Sequence, residues 1–225
     1  MTLTIRFLLP LLLACLAGLA NATEPGVPIS GKALIDELRK GGYIVYFRHT
    51  KTLPQHEHEA RMWREGRWRA EDCSTQRNLS EAGLAEANDQ RDWIAMFRIP
   101  FGRVYASSAC RARIHAERVA RGAELIDVLT PPRSREKGLT LRAMLNTAPA
   151  PGTNTFMFAH GGILWNATDY DSVESETFVF RPAAPDRPPT LVASIKFEDW
   201  ARLARGEACC APRAFWSGTG EPPTE

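Results

Sequence analysis

The chain opens on an apolar block without a period, Phe7 to Ala20. Arg6 is the only charge before Glu24, and the block ends in Ala20-Asn21-Ala22. A basic start, an apolar run and small residues at both positions of an A-x-A site describe a secretory signal peptide over residues 1–22. The run is short and broken by Pro10, so no stable membrane span is expected. Leu12-Leu13-Ala14-Cys15 resembles a lipoprotein signal, but apolar residues continue to Ala20, which disfavours that reading. Residues 23–29 read as a linker.

Beyond it the pattern alternates between helix-like and strand-like blocks. Ser30 is placed to cap a helix through Arg39, with Leu34, Ile35 and Leu38 on one face and Gly41-Gly42 as its stop. Tyr43 to Phe47 is a continuous apolar run of strand length, as expected for a strand buried on both faces. From Lys51 to Arg77 no simple period holds, and 51–77 reads as a loop or cap insert. Ser80 then caps a helix carrying Leu84, Ala87, Ile94 and Phe97, ended by Pro100. A short strand over Arg103 to Ser107 precedes a helix expected from Arg111 to Leu129, with Ile114, Val119, Ala123 and Ile126 inward. Pro131-Pro132 breaks the chain. A short helix over Gly138 to Asn146, a loop to Asn154 and a strand over Thr155 to Ala159 follow. Two more strands are expected over Glu176 to Arg181 and Leu191 to Phe197, and residues 206–225 read as a disordered tail. Strands alternating with helices predict one α/β domain over 30–205, a three-layer sandwich with a mostly parallel central sheet.

Composition narrows the partners. The 225 residues carry 28 Lys+Arg against 26 Asp+Glu, a balance that argues against a generally basic nucleic-acid binder. Five cysteines are too few for a disulfide scaffold. Four follow the signal segment: Cys73, Cys110, Cys209 and Cys210. They allow three connectivities, among which spacing does not choose. Adjacent Cys209 and Cys210 are not expected to bond each other. No C-x-x-C spacing points to a metal, and His56 and His58, two apart, suit a strand rather than a zinc-binding helix.

In open α/β sheets, ligands bind beyond the carboxyl ends of the strands. Three strands here end in capable residues: Arg48-His49, Ser107-Ser108 four residues before Arg111, and His160-Gly161. Two arginines and two histidines at one sheet edge suit a phosphate monoester. Arginine's planar fork matches the phosphoryl oxygens and stays charged. A neutral histidine nitrogen approaches that anion with less repulsion than a carboxylate.

These motifs, in this order, resemble the histidine phosphatase superfamily, the group of phosphoglycerate mutases and acid phosphatases. Arg48-His49-Thr50 resembles its Arg-His-Gly motif. Ser107 to Ala116 resembles its Ser-x-Leu-x-Arg-Ala-x-x-Thr-Ala motif, and His160-Gly161 its late His-Gly motif. Gln76 to Gly83 resembles its Leu-Ser-x-x-Gly helix start. Thr50 stands where Gly is usual, and His115 where Thr is usual. The cysteines before Gln76 and Arg111 resemble an exported bacterial branch that includes lipopolysaccharide core heptose phosphatase-like proteins.

The resemblance implies a phosphoglycerate mutase-like fold and an exported phosphomonoesterase of the periplasm or cell exterior. His49 would attack phosphorus to form a phosphohistidine, with Arg48, Arg111 and His160 holding the phosphoryl oxygens. Neither metal nor cofactor is implied. Glu176 is the candidate acid, with Glu174 and Asp72 as rivals, and Glu174 also matches a Glu-x-Glu of the exported branch. Lys51 and Arg77 are candidate substrate ligands. Cys73 and Cys110 would form a disulfide beside the pocket. Arginines and tryptophans from Arg61 to Arg69 would either cap an anionic or sugar-containing substrate or pack as a surface helix. The implied partner is a small phosphorylated substrate or a phosphorylated glycan, and the oligomeric state stays open. The alternatives are a catalytically silent phosphate- or glycan-binding protein of the cell envelope and a phosphoglycerate mutase-like phosphotransferase, the latter disfavoured by export. A phosphohistidine protein phosphatase fits poorly with the long insert.

Overall fold

Along Ile44–Arg48 (β1) successive side chains leave the backbone on opposite sides, and both sides are dry. Val45 and Phe47 enter one apolar cluster, Ile44 and Tyr46 a second. That two-sided burial is why the strand reads as an unbroken apolar run. The computed structural model describes residues 28–183 and 187–210. The expected signal peptide, most of the linker and the end of the tail lie outside them.

Five further strands complete the sheet: Phe101–Ala106 (β2), Glu124–Leu125 (β3), Asn154–Ala159 (β4), Thr177–Arg181 (β5) and Thr190–Ile195 (β6). Their order is β3-β2-β4-β1-β5-β6. The first four run parallel, and β5 and β6 are antiparallel additions beyond β1. Helices Gly31–Lys40 (α1), Glu81–Met96 (α3), Cys110–Ala120 (α4) and Phe197–Ala204 (α7) cover one face through Leu34, Ile94, Val119 and Trp200. Arg135–Leu145 (α5) and Gly161–Thr168 (α6) cover the other through Leu141, Leu145, Ile163 and Leu164. This is the expected three-layer α/β sandwich with a mostly parallel sheet. Among the described residues no helix is long and apolar enough to cross a membrane.

The structure revises several local expectations. The helix expected to reach Leu129 stops at Ala120, because Arg121 takes a left-handed φ of 58° and exposed Gly122 follows. Beyond it the chain forms β3 and a 3-10 turn over Asp127–Leu129, and Ile126 packs against the opposite face. The insert contains a helix, His56–Arg64 (α2), so His56 and His58 lie on a helix and not a strand. Met62, Trp68 and Ala70 seat the insert on Ala109, just ahead of α4. The last strand ends at Ile195 and α7 begins at Phe197. Cys209 and Cys210 are bonded to each other, contrary to expectation, and this end of the chain is packed. Cys210 accepts a backbone hydrogen bond from Ser194, and Cys209 one from Gly31. Residues 206–210 therefore continue the fold and do not begin the expected tail.

Ser80 caps α3 as expected, accepting the Gly83 N–H at 3.1 Å. Gly83 has a second reason to be glycine: a Cβ there would sit 1.9 Å from the Lys51 carbonyl oxygen. The backbone leaving β1 thus lies directly on the first turn of α3.

Candidate active site

The parallel register brings three strand ends together. β2, β4 and β1 are neighbours, and each ends one residue before a polar side chain. The His49 N–H donates to Ala159 O at 3.0 Å, and the Ser107 N–H donates to Phe158 O at 2.9 Å. The Tyr46 hydroxyl donates to His160 O at 2.9 Å. These bonds carry the sheet one step past its last strand residues and set the His49 and His160 rings 5.4 Å apart.

His49 is buried, and its Nδ1 lies 3.0 Å from Thr50 O. A carbonyl only accepts, so Nδ1 carries the proton and Nε2 keeps a lone pair. Burial pushes the His49 pKa well below the ordinary histidine value, and Arg111, His160 and Arg48 push it further. His49 is therefore a neutral imidazole at neutral pH. His160 is held by Ser107 Oγ at 2.9 Å from its Nε2. Burial, then Arg111, Arg48 and Arg77, lower its pKa in the same way. Its buried Nδ1 has no partner among the described residues.

Three arginines surround this pair. Arg48 is the last residue of β1, and its Nη1 donates to Ser172 O at 2.5 Å. The guanidinium lies over the start of α6, where a Cβ on Gly161 would fall 2.7 Å from Arg48 Nη1. A side chain there would push the tip of Arg48 from its present position. Arg111 is the second residue of α4 and is 2 % exposed. Its Nη1 donates to Glu59 Oε1 at 2.7 Å and to Arg77 O at 3.4 Å. Arg77 is 3 % exposed and pairs with Glu174 at 3.5 Å and Glu59 at 3.9 Å, with its Nη1 2.7 Å from His56 Nε2. The buried Nε groups of Arg77 and Arg111 have no acceptor among the described residues. A buried donor without an acceptor is costly, and an incoming oxyanion removes that cost.

His115 stands where the resembled motif has Thr. It is fully buried, 2.7 Å from Gln90 Oε1, and its pKa is lowered to about 3 by burial. Gln90 Nε2 donates to Ser175 O at 3.0 Å, and the Ser175 N–H donates to His49 O at 3.0 Å. His115 thereby props the turn behind His49.

Other candidates are placed elsewhere. Glu174 belongs to the cluster, accepting from the Thr52 N–H at 3.1 Å and hydroxyl at 2.7 Å besides Arg77. Lys51 does not: its Nζ pairs with Glu86 at 2.6 Å, because the Lys51 backbone is pinned on α3. Glu176 is completely buried and accepts from the Val173 N–H at 2.9 Å and the Ser194 hydroxyl at 2.5 Å. Its carboxylate ties the preceding turn to β6. Asp72 is exposed and caps the 3-10 turn over Cys73–Thr75. That turn carries the disulfide from Cys73 to Cys110, the first residue of α4. Gln76 reinforces the link by accepting the Cys110 N–H at 3.0 Å and donating to Ala70 O at 2.8 Å.

One buried carboxylate of this cluster is absent from the sequence-predicted set: Glu59. It is 5 % exposed, on the inner side of α2 with Met62. Its signal was present: Glu59 and Met62 are three apart, the spacing of one helix face. The cap arginines mostly face solvent with local partners, Arg64 on Glu57 and Arg67 on Glu65. Trp63 stacks on Trp68 at 4.2 Å. Among the described residues, Asp199, Cys209 and Cys210 are close enough to share a metal ion. Both cysteines are spent in their mutual disulfide and offer no thiolate.

No protein-family model matches the chain, and no curated protein does. Solved structures do. A protein histidine phosphatase SixA, complexed with tungstate, superposes with a TM-score of 0.51 at 16% identity, covering 70% of this chain and 98% of that one. A phosphoserine phosphatase mutant from Entamoeba histolytica, in complex with phosphoserine, gives a TM-score of 0.45 at 14% identity, covering 68% and 95%. TTHB049 from Thermus thermophilus gives 0.44 at 16%, covering 68% and 99%. The first of these shows that the fold is the phosphoglycerate mutase-like one.

Proposed function

We propose that the chain is a histidine-type phosphomonoesterase whose nucleophile is His49. The observation that carries this reading is a neutral, buried imidazole with its Nε2 lone pair free, in a site where buried arginine N–H groups lack acceptors. His49 Nε2 attacks phosphorus in line, the N–P bond forms, and the ester P–O bond breaks. The departing oxygen takes up a proton from solvent water. Water then attacks the phosphohistidine, releasing inorganic phosphate and restoring His49. Arg48, Arg111 and Arg77 neutralise charge on the phosphoryl oxygens, and His160 adds a hydrogen bond to them. The lowered His49 pKa keeps the nucleophile unprotonated at neutral pH.

The chain acts outside the cytoplasm in this reading. Residues 1–22 have the make-up of a cleaved signal peptide. The Cys73–Cys110 disulfide supports export, since such bonds persist in oxidising compartments. The exported branch, with a small phosphorylated substrate or a phosphorylated glycan, is the finer reading that these two features favour.

The test is hydrolysis of para-nitrophenyl phosphate and a panel of sugar and alkyl phosphates by protein purified without its first 22 residues. Wild type is expected to release phosphate and to trap acid-labile phosphate on His49, and His49→Ala to do neither. Phosphate binding without turnover in the wild type would make the chain a silent binder. A secreted chain that retains residues 1–22 would overturn the cleavage site.

A further inference from the structure

The insert brings one carboxylate into the arginine cluster, where two donors bond it and a second guanidinium lies nearby. Glu59 Oε1 accepts from Arg111 Nη1 at 2.7 Å and from the Trp68 indole Nε1 at 3.1 Å. Glu59 Oε2 lies 3.9 Å from Arg77 Nε. All four side chains are nearly or fully buried: Arg111 2 %, Arg77 3 %, Glu59 5 % and Trp68 8 % exposed. A guanidinium and an indole N–H thus share one oxygen of Glu59 as acceptor. Its bond to a terminal Arg111 nitrogen restricts rotation of that guanidinium and leaves Nε, without a partner among the described residues, for another acceptor.

We propose that Glu59 is a positioning residue for catalysis: it fixes the Arg111 fork from the side opposite the substrate, and Trp68 fixes Glu59 in turn. This rests on the phosphatase reading above and deepens it. The phosphoryl site is then completed by the insert as well as by the strand ends. Glu59 also offsets part of the positive charge that two buried arginines present, so it acts on geometry at some expense of anion affinity. Removing its charge while keeping its shape should therefore separate the two effects.

The experiment compares Glu59→Gln with wild type on para-nitrophenyl phosphate and on an alkyl phosphate with a poor leaving group. The exposed neighbour Glu57, changed to Gln, is the control, with thermal melting of every variant. The expected result for Glu59→Gln is a kcat reduced ~10–100-fold on both substrates with KM unchanged or lower. The same change in an Arg111→Met background should cost at most about twofold further, since Glu59 acts through Arg111. Trp68→Phe, which keeps the ring and removes the N–H, should give a smaller loss of the same kind, and stands in if Glu59→Gln fails to fold. An unchanged kcat overturns the proposal. So does a loss confined to the poor leaving group, which would make Glu59 a proton donor, or a full loss in the Arg111→Met background. Absence of wild-type turnover would sink the phosphatase reading alone. Binding of inorganic phosphate then reads the same cycle: Glu59→Gln should change affinity at least threefold with Arg111 present and not without it, and no change in either background overturns the proposal.

Discussion

The two halves of the site are built by different means. His49, His160 and Ser107 sit one residue beyond three parallel strands; main-chain bonds of 2.9–3.0 Å hold the backbones of His49 and Ser107, and the Tyr46 hydroxyl holds that of His160 at 2.9 Å. Glu59, Arg77 and Trp68 come from an insert held by side-chain ion pairs, a small apolar cluster and a disulfide. The strand-end half follows from the sheet's register, so it exists wherever the sheet exists. The insert half depends on charges that hold one another in place. In the function proposed above, the making and breaking of bonds belongs to the first half, and the orientation of the anion-binding fork to the second.

This division can be tested where it should fail most sharply. His49→Ala removes the nucleophile and should lower turnover more than ~10³-fold while leaving the melting temperature close to wild type. A milder result would mean that another group attacks phosphorus. Gly161→Ala introduces a methyl 2.7 Å from Arg48 Nη1, so phosphatase assays should show a ~10–100-fold drop in kcat/KM with little loss of fold. Gly83→Ala makes the opposite contrast. Its methyl meets main chain at Lys51, so calorimetry should show a destabilised protein.

On the insert side, replacing Cys73 and Cys110 together by Ser should cost about 2–4 kcal/mol in denaturant unfolding, and activity should survive at temperatures where the variant stays folded. Loss of all activity in the folded variant would show that the disulfide is part of the chemistry. A pH dependence is expected as well. His49, His115 and His160 all have pKa values lowered by burial, so the unfolded chain takes up protons that the folded chain refuses. Stability should be full above the unfolded value of about 6.5 and fall as pH drops below it, by up to about 1.4 kcal/mol per pH unit for each histidine. For His115 the loss continues until pH approaches about 3. Denaturant titrations at two pH values should show His115→Gln lowering that slope by one proton's worth.

Much of the strand-end half is legible in the sequence. A strand buried on both faces writes itself as a continuous apolar run, and the polar residue after it marks the ligand edge. The helices that escaped notice have local reasons. Two glycines at Gly161 and Gly162 disguise the start of α6, since they pack closely and lack helix propensity. Phe197, Trp200 and Leu203 have helical spacing, but the apolar run before Lys196 absorbs Phe197 into a strand. The overlong α4 arose because Ala123 and Ile126 keep the helical period past a left-handed residue that no period reveals. The insert half is less legible because its partners are remote. Glu59 meets Arg111 across 52 positions, and the Lys51 main chain meets Glu86 across 35. Ion pairs at such separations leave no periodic trace.

The two ends of the insert also meet. Thr52 bridges Leu79 in antiparallel fashion, and the Leu53 N–H donates to Asn78 O at 2.9 Å. The excursion between them leaves and rejoins the scaffold at one doorway, so its length can change without moving the sheet. It behaves as an exchangeable cassette. Its carboxylate, indole and cysteine travel together as one unit, separate from the strand ends that hold His49 and His160.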